Sequence, residues 1–403
     1  MFNHYNCNAM RTHVLFFVSA LLLLCSCDKH PAQETNTRKD IQLTKAQEVM
    51  VSGNNGFAFD LYRNIADGSS FFISPLSAAF ELSILANGVA GDARDEILAA
   101  LGLGDNDISD FNAFAQMMRT RLLEIDKTSE INISNAVVSN SRLGALKNDF
   151  KNICSGYYGC DVTEMDFAGG KAVLDYVNDF CSRSTSGKIT GILDHVSNDD
   201  VMYALNAVYF KGKWAVPFIT GDTHKAAFSC SDGSQIGVDM MHVTDFFAYT
   251  ELSGVKAIVL PYGNSAFRMT VIVSDGMPDI AGWDKINSSL QDAYVDFRMP
   301  KFEVSQKLQM EDALKSVGIR MLFTHDADFS PMIDAEEMNV SGIKQVSKFR
   351  IDEKGCEAAL VSINDAPTSP GVQVKFTVDK PFCYVISEIS TGAILFMGYF
   401  SGR

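Results

Sequence analysis

Positive charge is scarce in this chain: 34 Lys and Arg stand against 49 Asp and Glu in 403 residues, a formal net charge of −15. Phosphate backbones are gripped by clustered Lys and Arg, and no basic stripe occurs, so nucleic acid is excluded as the main partner. Catalytic signatures are missing as well. There is no GxSxG elbow, no HExxH, no GxxxxGK[ST] and no GxGxxG after a strand. Of seven histidines, His4, His13 and His30 fall in the N-terminal segment, while His195, His224, His242 and His325 are isolated and lack partners at metal-ligand spacing. "HDAD" at 325–328 reads as a turn or helix cap. Neither metal nor cofactor is expected, and enzymatic activity is not.

Long hydrophobic runs are absent too, apart from Val14 to Leu24, which is too short to span a bilayer but suits a signal peptide. Arg11 and His13 precede it, and Met10 is an alternative start. The run ends in Leu24-Cys25-Ser26-Cys27, which resembles the bacterial lipobox, with Cys27 as the lipidated residue after a signal peptide at 1–26. An ordinary secretory signal is the alternative. Residues 27–44 are polar and read as a lipidated tether. The expected location is an exported bacterial outer-membrane or cell-surface lipoprotein, alternatively a secreted or periplasmic protein.

No CxxC pair occurs among the nine cysteines. Cys154, Cys160, Cys181, Cys230, Cys356 and Cys383 therefore read mostly as buried thiols, and only Cys154 and Cys160 are close enough in sequence for a local bridge, a point left open.

What is present is a composition for a sizeable core: 47% hydrophobic and 21% charged, with no repeat and no break after residue 45. One domain is expected over 45–403. The first half is mainly helical. Ser74 caps a helix with Pro75 in its first turn, and Leu76 to Ala86 is apolar nearly all round, as in a buried helix. Gly88 to Asp92 breaks it, and Ala93 to Leu101 predicts a second helix. The second half is mainly strand: "VMYALNAVYFKGKW" reads as a central strand covered on both faces, and "VKAIVLPYGNSAFRMTVIVSD" as a hairpin turning at Pro261 to Ser265. In "VDFRMPKFEVS", Val295, Phe297 and Met299 share one face. Three strands close the chain, the last two joined at Ser390-Thr391-Gly392. Helices first and antiparallel strands later predict an α+β fold.

One stretch fits no ordinary element: "IDEKGCEAALVSINDAPTSPGVQVKF", residues 351–376. Structureless segments of this length in compact domains are usually functional or disordered. Gly355 supplies backbone freedom where the chain changes course. If the segment becomes a strand, Cys356, Ala358, Leu360, Ser362, Asn364, Ala366 and Thr368 share one face, while Glu357, Ala359, Val361, Ile363, Asp365 and Pro367 share the other.

Several separated motifs, taken in order, carry a family resemblance. They are "FFISPLSAAFELSILANGVAGDARDEILAALGL", "STSGKITGIL" after "VNDF", "LNAVYFKGKWAVPF", "MPKFEVSQKLQMEDALKSVGIRMLFTHDADFSPM" and "DKPFCYVISEISTGAILFMGYF". From about residue 45 to 403 the chain resembles a serpin. The resemblance implies three β-sheets, about nine helices and an exposed reactive centre loop at about 353–373 that baits a protease. Cleavage leaves the protease as an acyl-enzyme, and the loop then inserts as a new strand into the large sheet and distorts it. A strand of about fifteen residues, with ladder bonds near 1 kcal/mol net each, releases on the order of 10 kcal/mol. The uncleaved form is then held kinetically.

The resemblance also implies site residues. Glu353, Lys354, Gly355, Cys356, Glu357, Ala358, Ala359, Leu360 and Val361 match the loop hinge, with Cys356 and Leu360 departing from the usual smaller or hydroxylated residues. The first face listed above is the one the family turns inward, which makes Asn364 uncomfortable there. The family's hinge-to-scissile spacing reaches Ser369, but Pro370 follows, so Thr368-Ser369 is the preferred reactive bond, with Val361 or Ile363 as secondary points. Ala366 and Thr368 suit elastase-like or subtilisin-like serine proteases, and cysteine proteases stay open. Ser74, Ser77 and Asn206 match a polar cluster beneath the sheet, where Gln345 replaces the family's histidine and with it any pH switch. Trp214 and Asn178 match positions near the top of the sheet and its linking helix. The expected partners are a target protease and a membrane through the lipid anchor, and a monomer is expected. A non-inhibitory serpin acting as an envelope binding or scaffolding protein is the alternative.

Overall fold

Thr44 opens the first helix with a capping box: its hydroxyl accepts from the Gln47 amide while the Gln47 side chain accepts from the Thr44 amide. The computed structural model describes residues 36–403, apart from 105–107, 199, 278–279, 335–337, 339, 341–342 and 356–372. The expected signal peptide, Cys27 and the first part of the expected tether therefore lie outside the described residues, as do Cys356 to Val361 of the expected hinge and the expected Thr368-Ser369 reactive bond. Residues 36–44, expected as tether, belong to the folded unit. The Asn36 amide bonds Asp126 at 2.7 Å, the Ile41 amide bonds the Ser390 hydroxyl at 2.9 Å, and Ile41 is buried. Polar composition hid these anchors.

Eight α-helices are formed among the described residues: α1 (Lys45–Ile65), α2 (Pro75–Gly88), α3 (Gly91–Ala100), α4 (Ile108–Glu124), α5 (Asn148–Tyr158), α6 (Gly170–Ser184), α7 (Trp283–Ser289) and α8 (Glu311–Ser316). Ser74 caps α2 and Pro75 is its first residue; every residue of the helix except Asn87 is buried, the fate of a helix without a polar face. The strands are β1 (Phe71–Ile73), β2 (Glu130–Asn140), β3 (Asp161–Met165), β4 (Met202–Lys211), β5 (His224–Ser229), β6 (Gln235–Leu252) and β7 (Val255–Tyr262), followed by β8 (Phe267–Val273), β9 (Gln291–Pro300), β10 (Phe302–Gln309), β11 (Ile343–Ile351), β12 (Val374–Thr377), β13 (Phe382–Glu388) and β14 (Ile394–Phe400).

Five strands form one sheet in the order β10-β11-β4-β2-β3. As expected of a central strand, β4 is covered on both sides: Met202, Ala204 and Phe210 face the main core, and Tyr203, Leu205 and Ala207 face a second cluster under α6. The other nine strands are joined through β6, which is 18 residues long. Its earlier part pairs with β5 and β9, and β9 pairs with β12; its last four residues pair with β7, which leads through β8 and β13 to β14 and β1. Three sheets thus result, two sharing one strand. The hairpin turn begins later than expected: Pro261 stays in β7, paired with Arg268, because its carbonyl accepts from the Ala215 amide and it has no amide to miss. Asp328 holds a turn, its carboxylate accepting from the Ser330 amide at 2.8 Å.

Candidate functional site

β11 and β4 run parallel but, among the described residues, pair over only four positions, Ile343 to Val346 with Ala204 to Ala207. Beneath this short pairing lies a buried polar row. Gln345 is in register with Asn206, and Asn206 with Asn135 on β2. The Gln345 side chain holds the helix cap from above: its oxygen accepts from the Ser74 amide at 2.9 Å and its amide donates to the Ser74 carbonyl at 3.2 Å. The Ser74 hydroxyl donates to the Leu395 carbonyl at 2.8 Å. The Ser77 hydroxyl donates to the Asn206 side-chain oxygen, and the Asn206 amide donates to Asn135 at 2.8 Å and to the Ser77 carbonyl at 3.2 Å. Ser74, Ser77, Asn206 and Gln345, matched together to one polar cluster by the resemblance, are joined by these hydrogen bonds. Asn135 was missed; it has no local signature and is recruited only by strand register.

Beyond Val346 the two strands part, and their upper ends are joined by a turn instead. Asp352 and Gly355 exchange backbone hydrogen bonds of 3.1 and 3.2 Å, and the Asp352 carboxylate accepts from the Lys354 amide at 2.9 Å. Gly355 has φ +119°, and a Cβ there would lie 2.1 Å from the Gly212 carbonyl oxygen, so only glycine fits. Trp214 docks this turn. Its backbone amide donates to the Lys354 carbonyl at 3.1 Å, its indole NH donates to the Asp352 carbonyl at 3.0 Å, and its ring stacks on Tyr262 at 4.4 Å.

Glu353 is held hardest. It is buried, with its carboxylate 2.6 Å from the Lys301 ammonium and 2.7 Å from the Thr223 hydroxyl, while its carbonyl accepts from the Phe218 amide at 3.0 Å. Burial pushes the carboxyl pKa up, but the Lys301 and Thr223 hydrogen bonds outweigh it and leave it below the ordinary value. Lys301 and Thr223 lie 52 and 130 positions away in sequence and carried no signal. Asn178 stands apart from both groups: it clamps residues 192 and 193 to α6, accepting from the Ile192 amide at 2.8 Å and donating to the Leu193 carbonyl at 3.1 Å.

Cys154, Cys160, Cys181, Cys230 and Cys383 are buried free thiols. A hydrogen bond with Cys154, together with burial, raises the Cys160 thiol well above its ordinary pKa. His242 is less isolated than its sequence context suggested, lying 3.0 Å from Asp296 and 3.6 Å from Asp222. With Arg298 2.8 Å from the same Asp296 carboxylate, the arrangement is an ion-pair row on a sheet face.

A short-paired central sheet, a polar row beneath it and a tight turn at its upper end describe the serpin architecture. The family model for serpins (serine protease inhibitors) matches residues 52–402, and the chain belongs to that family. It is 28% identical to alpha-1-antiproteinase of Rattus norvegicus over 402 residues, covering 94% of this chain and 96% of the relative. Among solved structures, the thermophilic serpin tengpin in its native state superposes with a TM-score of 0.81 at 23% identity, covering 90% of this chain and 96% of that one. Human thyroxine-binding globulin complexed with its hormone gives 0.80 at 25% identity, covering 88% and 98%.

Proposed function

We propose that this serpin inhibits proteases as a suicide substrate, by cleavage of its loop and insertion of the cut strand between β11 and β4. The observation that carries this is the register of the Asp352–Gly355 turn. Continued as a hairpin, seven steps along each arm set Ser362 opposite Gln345, in the row of Asn206; nine steps set Asn364 opposite Ile343. Ile343, Gln345, Ser347, Phe349 and Ile351 are the buried residues on one face of β11, with Val346 buried on the other, so the partners of that face on entry are Asn364, Ser362, Leu360, Ala358 and Cys356. That is the face that alternation groups together and that the family resemblance implies turns inward. Ser362 would enter the polar row, where a hydroxyl can bond to Gln345 or Asn206. The small residues at Ala366 and Thr368 support elastase-like or subtilisin-like targets and cleavage at Thr368-Ser369.

Thermal unfolding of intact and subtilisin-nicked protein tests this. Insertion should raise the melting temperature by on the order of 10 °C or more, whereas an unchanged value would remove the insertion step.

A non-inhibitory binding role has one observation in its favour. Asn364 would enter beside Ile343 and Ala204, where no polar side chain on either strand answers its amide. The protein is further proposed to act as a monomer on the bacterial envelope through lipidated Cys27. Cys27→Ala should then release it from membranes, and retention there would refute the anchor.

A further inference from the structure

Phe246 is 54% exposed in the middle of β6, a place where a large apolar ring normally faces a core. Its register partner on β9 is Tyr294, and the two rings lie 5.1 Å apart. The same row continues onto the chain where the described residues resume: the Gln373 amide donates to the Tyr294 carbonyl at 2.9 Å, and the Tyr294 amide donates to the Gln373 side chain at 3.0 Å. Because β12 runs parallel to β9 from Val374 at Val295, the described chain resumes at the Asp292–Tyr294 end of the sheet. Asp292 is exposed beside the aromatic pair, and Asp245, half-buried, precedes Phe246. Neither carboxylate has an ion pair among the described residues.

Reach then decides what can cover this row. From Ser369 to Gln373 are four residues, a span of at most about 14 Å. A protease of roughly 220 residues has a radius of gyration near 17 Å. A protease holding the Thr368-Ser369 bond therefore cannot stand clear of the sheet end four residues away. We infer that Phe246 and Tyr294, with Asp292 at their rim on the same face, form a secondary docking surface for the body of the target protease, on which an apolar contact flanked by a cationic side chain fits. This rests on the loop being the protease's bait; it adds that the sheet face beside the loop's C-terminal root selects among proteases with similar clefts.

The experiment measures the second-order rate constant for consumption of intact full-length protein by subtilisin and by pancreatic elastase, counting both covalent complex and nicked chain. Phe246→Ser and Asp292→Lys are compared with the unaltered protein, and thermal melting checks that neither exposed substitution disturbs the fold. Expected is a fall of about tenfold for Phe246→Ser with at least one protease, a smaller, salt-sensitive change for Asp292→Lys, and an unchanged ratio of complex to nicked chain. Equal rate constants for all three proteins overturn the docking surface while leaving the trap intact; nicking without complex, at rates that still fall in Phe246→Ser, overturns the trap and keeps the surface. A dimer that Phe246→Ser converts to monomer with no change in rate assigns the face to self-association and also overturns it.

Discussion

Gln345 and Asn206 face each other across the parallel pairing of β11 and β4, and each is bonded to a different serine in the first turn of α2, Gln345 to Ser74 and Asn206 to Ser77. The helix cap therefore bridges the seam that a new strand would have to part. Separating the strands removes the four positions at which the described residues of the two strands pair.

Gln345→Ala should be destabilising out of proportion to its size. It orphans the buried Ser74 amide, at a cost of about 1–3 kcal/mol, and the expected result is a lower urea midpoint with an unchanged slope. Gln345→His should instead create a pH dependence. A buried histidine resists charging, so its folded pKa falls below the unfolded value near 6.5; stability relative to the unaltered protein is then lost as pH falls from 7.5 to 5.5. A flat difference across that window would show that the site tolerates imidazolium.

Gly355→Ala meets two penalties at once, a φ of +119° and a Cβ 2.1 Å from the Gly212 oxygen. The turn must give way, and a loss of more than about 2 kcal/mol is expected. Because the turn bonds to Trp214, the indole fluorescence of this variant should shift to the red before the main unfolding transition.

Glu353 has a folded pKa below its unfolded value, so its contribution to stability is present above the unfolded value near 4.5 and is lost as pH falls through the folded one. Melting curves of Glu353→Gln and the unaltered protein should differ at pH 7 and converge as the pH falls through the lowered folded value. Lys301→Met should be the more damaging change, about 2–4 kcal/mol, since it leaves a buried carboxylate with only the Thr223 hydroxyl.

Asn364→Val removes the amide that would enter beside Ile343 and Ala204. Insertion should then finish sooner, raising the fraction of encounters that end as complex rather than as nicked serpin. Kinetic partitioning against subtilisin measures this, and an unchanged fraction would show that Asn364 is not met during insertion.

Much of this was legible in the sequence where the signal was local. Ser74-Pro75 and the apolar run after it set α2, β4 is a continuous apolar stretch, and Gly355 marks the turn because only glycine takes its φ. Partners chosen by tertiary register were not legible. Lys301 reaches Glu353 from the link between β9 and β10 and Thr223 from just before β5, Asn135 joins Asn206 only through the sheet, and the polar residues 36–44 gave no sign that Ile41 and Asn36 anchor to the fold.

The most direct test of the trap is the intact mass of the products formed when the full-length protein meets an equimolar elastase-like or subtilisin-like protease. The proposed function requires an SDS-resistant adduct equal to the protease plus the chain ending at Thr368, with the C-terminal peptide beginning at Ser369 released and protease activity lost in proportion. A nicked chain, no adduct and a fully active protease would contradict it.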